Sequence, residues 1–134
     1  MKPRVKTFPG KPRNAVVTTG TADDFFKRSK ERAAKLDRGE RLPEEIRITF
    51  ENPADLVRAL TAERVRVLQT IRSNHCTITS LAVTLKRHRK SVVRDVQMLE
   101  SLGLVRTRQK VNPGHGRVKE VEPLAEKYHL TATV

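Results

Sequence analysis

The spacing of apolar positions changes several times along the chain, and each change marks an element. Between residues 45 and 51, Ile46, Ile48 and Phe50 alternate with polar neighbours, the period of a half-buried strand. Asn52-Pro53 ends that strand and starts a short helix. Asn52 suits the cap, and Pro53 suits the first helical position, where its missing N–H is not needed. Leu56, Val57 and Leu60 form the helix's apolar side. Thr61 caps a longer helix to about Ser73, in which Val65, Leu68 and Ile71 recur at three-residue steps with Val67 beside them. Thr77-Ile78-Thr79 is a short extended piece. Thr79 or Ser80 then caps a short helix with Leu81, Ala82 and Leu85 as its apolar members.

A basic turn, Lys86-Arg87-His88-Arg89, leads into a helix from about Arg89 to Ser101. Val92, Val96 and Leu99 lie along one stripe of it, Val93 sits at the edge, and Gly103 ends it after Leu102. Leu104 to Val111 alternates as a strand. Asn112-Pro113-Gly114-His115-Gly116 is a turn, and residues 118–121 are the return strand. The order helix, short strand, helix, helix, strand, turn, strand is that of a winged helix-turn-helix. The expected class is α+β, mainly α with a small β-hairpin.

The flanks are less regular. Residues 1–20 hold Pro3, Pro9, Pro12, Gly10 and Gly20 and are expected to be a flexible basic arm. Thr21 caps a helix from about Ala22 to Arg38 that stops at Gly39. Its apolar members, Phe25, Phe26, Ala33 and Leu36, are too few for it to fold alone, so it is expected to pack on its own domain or on a second copy. Residues 21–45 thus form a helix and linker offering a dimer or partner contact, and residues 46–134 the winged domain. The end, residues 130–134, looks like a strand that pairs with the one at 46–50, within the chain or across a dimer.

Composition narrows the class. The 134 residues suit one compact domain with appendages. Leu, Ile, Val and Phe make up about a quarter of the chain, above the roughly one fifth that marks disorder. A single cysteine, Cys76, excludes an intrachain disulfide framework and any multi-cysteine metal site. No apolar run approaches the ~20 residues of a membrane span, and no secretory core follows the basic start. The expected setting is the cytoplasm.

Charge adds an address. The net charge is +13, from 28 Lys and Arg against 15 Asp and Glu. Residues 1–22 carry Lys2, Arg4, Lys6, Lys11 and Arg13 and no acid. Residues 86–119 carry ten cations against Asp95 and Glu100. Two zones therefore hold nearly all the excess, and the second coincides with the turn, helix and hairpin. Such a concentration implies a polyanionic partner.

At about 100° per residue, the helix at 89–101 turns Val92, Val96 and Leu99 to the core and Lys90, Ser91, Arg94 and Gln97 outward. These outward groups can donate to phosphates or base edges, and Arg94 and Gln97 can make bidentate base contacts. Asp95 falls off that face. Arg87, His88 and Arg89 lie at the helix N-terminus, where backbone N–H groups favour a phosphate. In the hairpin, Arg108, Lys110, His115 and Arg117 suit the backbone or minor groove, and Arg106 and Lys119 share its strands. A helix with cations outward is by itself usually a solvated face; the argument rests on the conjunction. The expected partner is double-stranded DNA.

The runs from Ile78 to Lys86, Lys90 to Val96 and Leu99 to Val105 (Leu-Glu-Ser-Leu-Gly-Leu-Val) resemble the winged helix of MarR-type prokaryotic transcriptional regulators. Phe50-Glu-Asn-Pro-Ala-Asp-Leu56 also resembles a segment that precedes this domain in small DNA-binding proteins of bacteria and archaea. The resemblance covers about residues 46–121. It implies sequence-specific promoter binding as a homodimer, often autoregulatory and repressing, and in some small regulators pairing with a toxin, here through residues 1–45. Residues 122–134 do not resemble the long dimerisation helix that follows the wing in typical members.

Chemistry finds no foothold. His75-Cys76 are adjacent without partners at ligand spacing, and no nucleophile, base and orienting group fall in a recognisable arrangement. Neither enzymatic activity, a metal nor a cofactor is expected. One tyrosine, four phenylalanines and no tryptophan argue against a base-stacking RNA module. A non-specific nucleic-acid binder remains the alternative to a sequence-specific one.

Overall fold

A computed structural model describes residues 12–134 apart from 43, 75, 113 and 115 and the side chain of residue 112. Its elements are β1 (Asn14–Thr19), α1 (Ala22–Asp37), β2 (Glu45–Phe50), α2 (Pro53–Ala59), α3 (Ala62–Ser73), β3 (Cys76–Thr77), α4 (Ile78–Leu85), α5 (Arg89–Ser101), β4 (Val105–Asn112), β5 (Gly116–Pro123) and β6 (Lys127–Leu130). Among the described residues, five helices and two three-stranded sheets make a mixed α/β architecture, richer in strand than the expected helical domain with one hairpin.

The strands of one sheet run antiparallel in the order β3-β5-β4. Helices α3, α4 and α5 close on it. Val67, Leu68 and Ile71 of α3, Leu81 and Leu85 of α4, and Val92, Val96 and Leu99 of α5 are buried with Leu104, Val105 and Val121. The local starts follow the sequence. Asn52 accepts from Ala54 N at 2.9 Å and Pro53 opens α2. Thr61 accepts from Arg64 N at 3.3 Å ahead of α3. The cap of α4 is Thr77, not Thr79 or Ser80; Ser80 is its reciprocal partner, accepting from Thr77 N at 2.9 Å. The extended piece is correspondingly Cys76–Thr77. Gly103, at φ 81°, allows the chain to leave α5 into β4.

The second sheet is parallel, ordered β2-β1-β6. It corrects the reading of residues 1–20 as an arm, because residues 14–19 are its central strand and Ala15 and Val17 are fully buried. The packed unit thus includes β1, ahead of residue 46, and residues 1–11 lie outside the described residues. β6 pairs with β1, not with the strand at 45–50, and ends at Leu130 instead of running through 130–134. Both outer strands flank β1 for the same reason: Ile46, Ile48, Phe50, Tyr128 and Leu130 pack against the core from either side of Ala15 and Val17. Tyr128 ties the two sheets together. Its hydroxyl donates to Leu104 O at 2.6 Å and accepts from Leu124 N at 3.1 Å, and burial raises its pKa.

Parallel neighbours need a crossover, and α1 supplies it between β1 and β2. Thr21 and Asp24 cap α1 reciprocally, at 3.0 and 3.2 Å, and hydrogen bonding to Thr21 holds the Asp24 carboxyl below its ordinary pKa. The helix buries none of its residues, and Phe25, Phe26 and Leu36 are 60%, 62% and 58% exposed. Its apolar side is therefore not packed on its own domain.

Candidate nucleic-acid interface

Helix α5 spans the residues that the apolar stripe predicted. Val92, Val96 and Leu99 anchor it, and Arg89, Lys90, Arg94 and Gln97 are exposed on the outside, with Ser91 half-buried. Arg89, Lys90 and Arg94 have no ion pair among the described residues. His88 is the N-cap: its Nδ1 accepts from Lys90 N at 3.3 Å. Capping through Nδ1 requires the lone pair there, which leaves Nε2–H as an outward donor.

The two acids of this region are both turned inward. Asp95 is the buried charged residue of the core, 6% exposed. Its Oδ1 accepts from Arg64 Nε at 3.1 Å and its Oδ2 from Arg87 Nη1 at 2.6 Å. Arg64 also donates to Ala59 O at 2.9 Å and Arg58 O at 3.2 Å, and Arg87 approaches Glu63 at 3.5 Å. One carboxylate thus joins α3, the α4–α5 turn and α5. Arg87, expected at a phosphate, is instead committed to this inner network. Glu100 holds the other end of the helix to the hairpin, its Oε2 accepting from Thr107 N at 2.9 Å and Thr107 Oγ1 at 2.8 Å.

With both carboxylates bound inward, the outer face of α5 carries cations and amides without an acid among them. Both links exceed what a single helix's pattern reveals. Of the two partners of Asp95, Arg64 lies 31 residues away, and the partner of Glu100 is on the following strand.

The hairpin has two unlike faces. Its register pairs Arg106 with Glu122, Arg108 with Glu120 and Lys110 with Val118. On this face Arg106 and Arg108 share Glu122, at 2.5 and 3.0 Å, and Lys110 meets Glu120 at 3.7 Å. Burial raises the Glu122 carboxyl, but hydrogen bonds and charge from Arg106 and Arg108 outweigh it and hold the pKa below its ordinary value. The alternate residues continue the core side of the sheet: Val105 and Thr107 near the base, then Gln109, Lys119, Val111 and Arg117 toward the tip. Arg117 and Lys119 are exposed, and among the described residues Arg117 makes only a 3.4 Å contact to Gln109. The structure therefore places Arg108 and Lys110 among acids on one face, and Arg117 with Lys119 on the side that continues toward α5. His115 lies outside the described residues.

Lys86 sits in the turn at φ 54°, the left-handed region, and closes α4 by donating its N–H to Val83 O at 3.2 Å. Cys76 is buried, its thiol donating to Asn74 O at 3.3 Å, and burial raises its pKa. Among the described residues no group of three or more His, Cys, Asp or Glu is placed to hold a metal ion, and no helix is long and apolar enough to cross a membrane.

Residues 59–121, from the end of α2 through most of β5, match the model of the protein family HVO_A0114. No curated protein matches the chain. Among solved structures, the chain is similar to a possible transcriptional regulator from Methanosarcina mazei Go1. The two are 20% identical with a TM-score of 0.46, over 55% of this chain and 66% of that one. It is also similar to the transcriptional regulator HlyU from Vibrio vulnificus CMCP6, at 16% identity and TM-score 0.45, over 76% of this chain and 84% of that one. The chain thus spans 66% of the length of the Methanosarcina protein. At this distance neither likeness assigns an activity.

Proposed function

We propose that the chain is a winged helix-turn-helix regulator of transcription that reads duplex DNA, with α5 in the major groove and β4–β5 as the wing. The observation that carries the reading is the acid-free outer face of α5, created because Asp95 and Glu100 are both bound inward. A helix anchored on one side and bare of acids on the other meets the two requirements of major-groove insertion. Arg94 and Gln97 reach base edges. Arg89, Lys90, Ser91 and His88 meet phosphates at the helix start. Arg117 and Lys119, rather than Arg108 and Lys110, supply the wing's contact. The protein acts as a homodimeric repressor of its own operon by binding alone, without catalysis or a cofactor.

The test is titration of a bound duplex with the double variant Lys90→Ala, Arg94→Ala. Affinity is expected to fall, and Arg94→Ala alone to cost about 1–3 kcal/mol and relax base preference at one position. Unchanged affinity of the double variant overturns the reading.

A protein partner at residues 21–45, such as a toxin, is a second reading. The exposed Phe25, Phe26 and Leu36 on α1 favour it. Co-purification of a partner with the wild-type chain, lost on Phe26→Ser, is its expected result.

A further inference from the structure

Helix α1 crosses the outer face of the parallel sheet in an unusual orientation. A crossover helix ordinarily turns its apolar stripe to the sheet. Here Phe26 and Leu36 stay outside, and the sheet side receives Phe25, Arg28, Ser29 and Arg32. Arg28 is half-buried, while every other residue of α1 is exposed. Between helix and sheet lies a groove of about 630 Å³, floored by Thr18, Arg47 and Thr49. That volume falls in the usual range of small-molecule sites.

The charges in the groove do not balance. Its two acids are engaged: Asp24 accepts from Thr21 N at 3.0 Å, and Glu45 pairs with Arg47 at 3.0 Å. Arg28 and Arg32 make no hydrogen bond or ion pair among the described residues. Arg28, half-buried, and Arg32, exposed, stand one turn apart on the groove wall without a carboxylate partner among the described residues, a pair suited to an anion. The groove runs from the carboxyl end of β1, at Thr18, Thr19 and Gly20, along β2 from Glu45 to Thr49. Phe25 adds an aromatic wall.

We propose that this groove binds a small organic anion, its phosphate or carboxylate held by Arg28 and Arg32 and its apolar body laid against Phe25. Thr18 and Thr49 offer hydroxyls to the same ligand. The site is separate from α5 and the hairpin, so it stands whether or not the DNA reading does.

The test uses the full chain and phenyl phosphate as probe, with inorganic phosphate and benzyl alcohol as charge-only and ring-only controls, followed by calorimetry. Phenyl phosphate is expected to bind more tightly than either control. Arg28→Gln and Arg32→Gln, exposed-helix substitutions that leave the fold intact by circular dichroism, are each expected to weaken it about tenfold or more. Arg58→Ala, an exposed cation on α2 away from the groove, is expected to leave it unchanged. Absence of binding overturns the proposal. So does equal loss in Arg58→Ala, which marks diffuse attraction to a cationic protein, or binding of inorganic phosphate as tight as that of phenyl phosphate, which marks an adventitious ion only. The oligomeric state of the wild type and of Arg28→Gln is measured alongside. A groove filled by a second copy shows as dimer formation with no probe binding, and overturns the proposal too.

Discussion

Replacing Asp95 tests whether the recognition helix is held in place by a buried charge network. Its carboxylate is met by Arg64 at 3.1 Å and Arg87 at 2.6 Å, with side-chain exposures of 9%, 16% and 20%. Asp95→Ala leaves two guanidinium groups facing each other across a gap in a poorly solvated place. Removing one partner of a buried pair costs about 3–5 kcal/mol, mostly from the charge left uncompensated. Arg64 keeps two carbonyl acceptors and Arg87 keeps Glu63, so the low end is expected, about 3 kcal/mol. For a chain of this length that corresponds to a fall in Tm of roughly 10 °C. Urea and thermal unfolding followed by circular dichroism read the change. The triple replacement Arg64→Met, Asp95→Leu, Arg87→Met is expected to recover most of the loss, because an apolar set of similar volume removes the stranded charges. A loss below about 1 kcal/mol in Asp95→Ala, or a triple variant less stable than the single, refutes the account of the network.

Three further outcomes follow from the geometry. The Glu122 carboxyl is held below its ordinary value by Arg106 and Arg108, so its contribution to stability is present above the unfolded pKa near 4.5 and is lost as pH falls through the lower folded pKa. The stability difference between wild type and Glu122→Gln is therefore expected to be constant near neutrality and to shrink below pH ~4; a difference that is flat throughout contradicts it. Lys86→Gly removes a left-handed strain of about 1–2 kcal/mol against a glycine entropy cost of about 0.5–1 kcal/mol. Chemical denaturation should therefore show a gain of up to about 1.5 kcal/mol. For duplex binding, Arg117→Ala and Lys119→Ala are each expected to lower the salt slope by about one, whereas Arg108→Ala and Lys110→Ala leave it nearly unchanged, since their charges already meet Glu122 and Glu120.

Much of this molecule is written in local spacing, and what is not depends on distant partners. Helix α5 and strand β2 were legible because Val92, Val96 and Leu99, and Ile46, Ile48 and Phe50, keep a strict period on a buried face. Strand β1 was not, since its buried residues are Ala15 and Val17 with the apolar Val16 between them blurring the alternation, and Pro12 and Gly20 flank it as they would flank a linker. It is a strand because β2 and β6 close on it from both sides, a fact of tertiary structure. The helical wheel put Asp95 off the reading face but could not show Arg64 reaching it from α3. Nor could it show Arg87 pairing with Asp95 from the turn before α5. The pairing of Arg106 and Arg108 with acids was readable in principle, because a hairpin turning at Gly114 sets them opposite Glu122 and Glu120.

Selection of bound sequences from a random duplex pool at physiological salt tests the central claim most directly. The account predicts a palindromic consensus, with two half-sites about one helical turn apart, whose enrichment is lost on Arg94→Ala. A pool that emerges without any preferred sequence, despite salt-dependent binding, contradicts it.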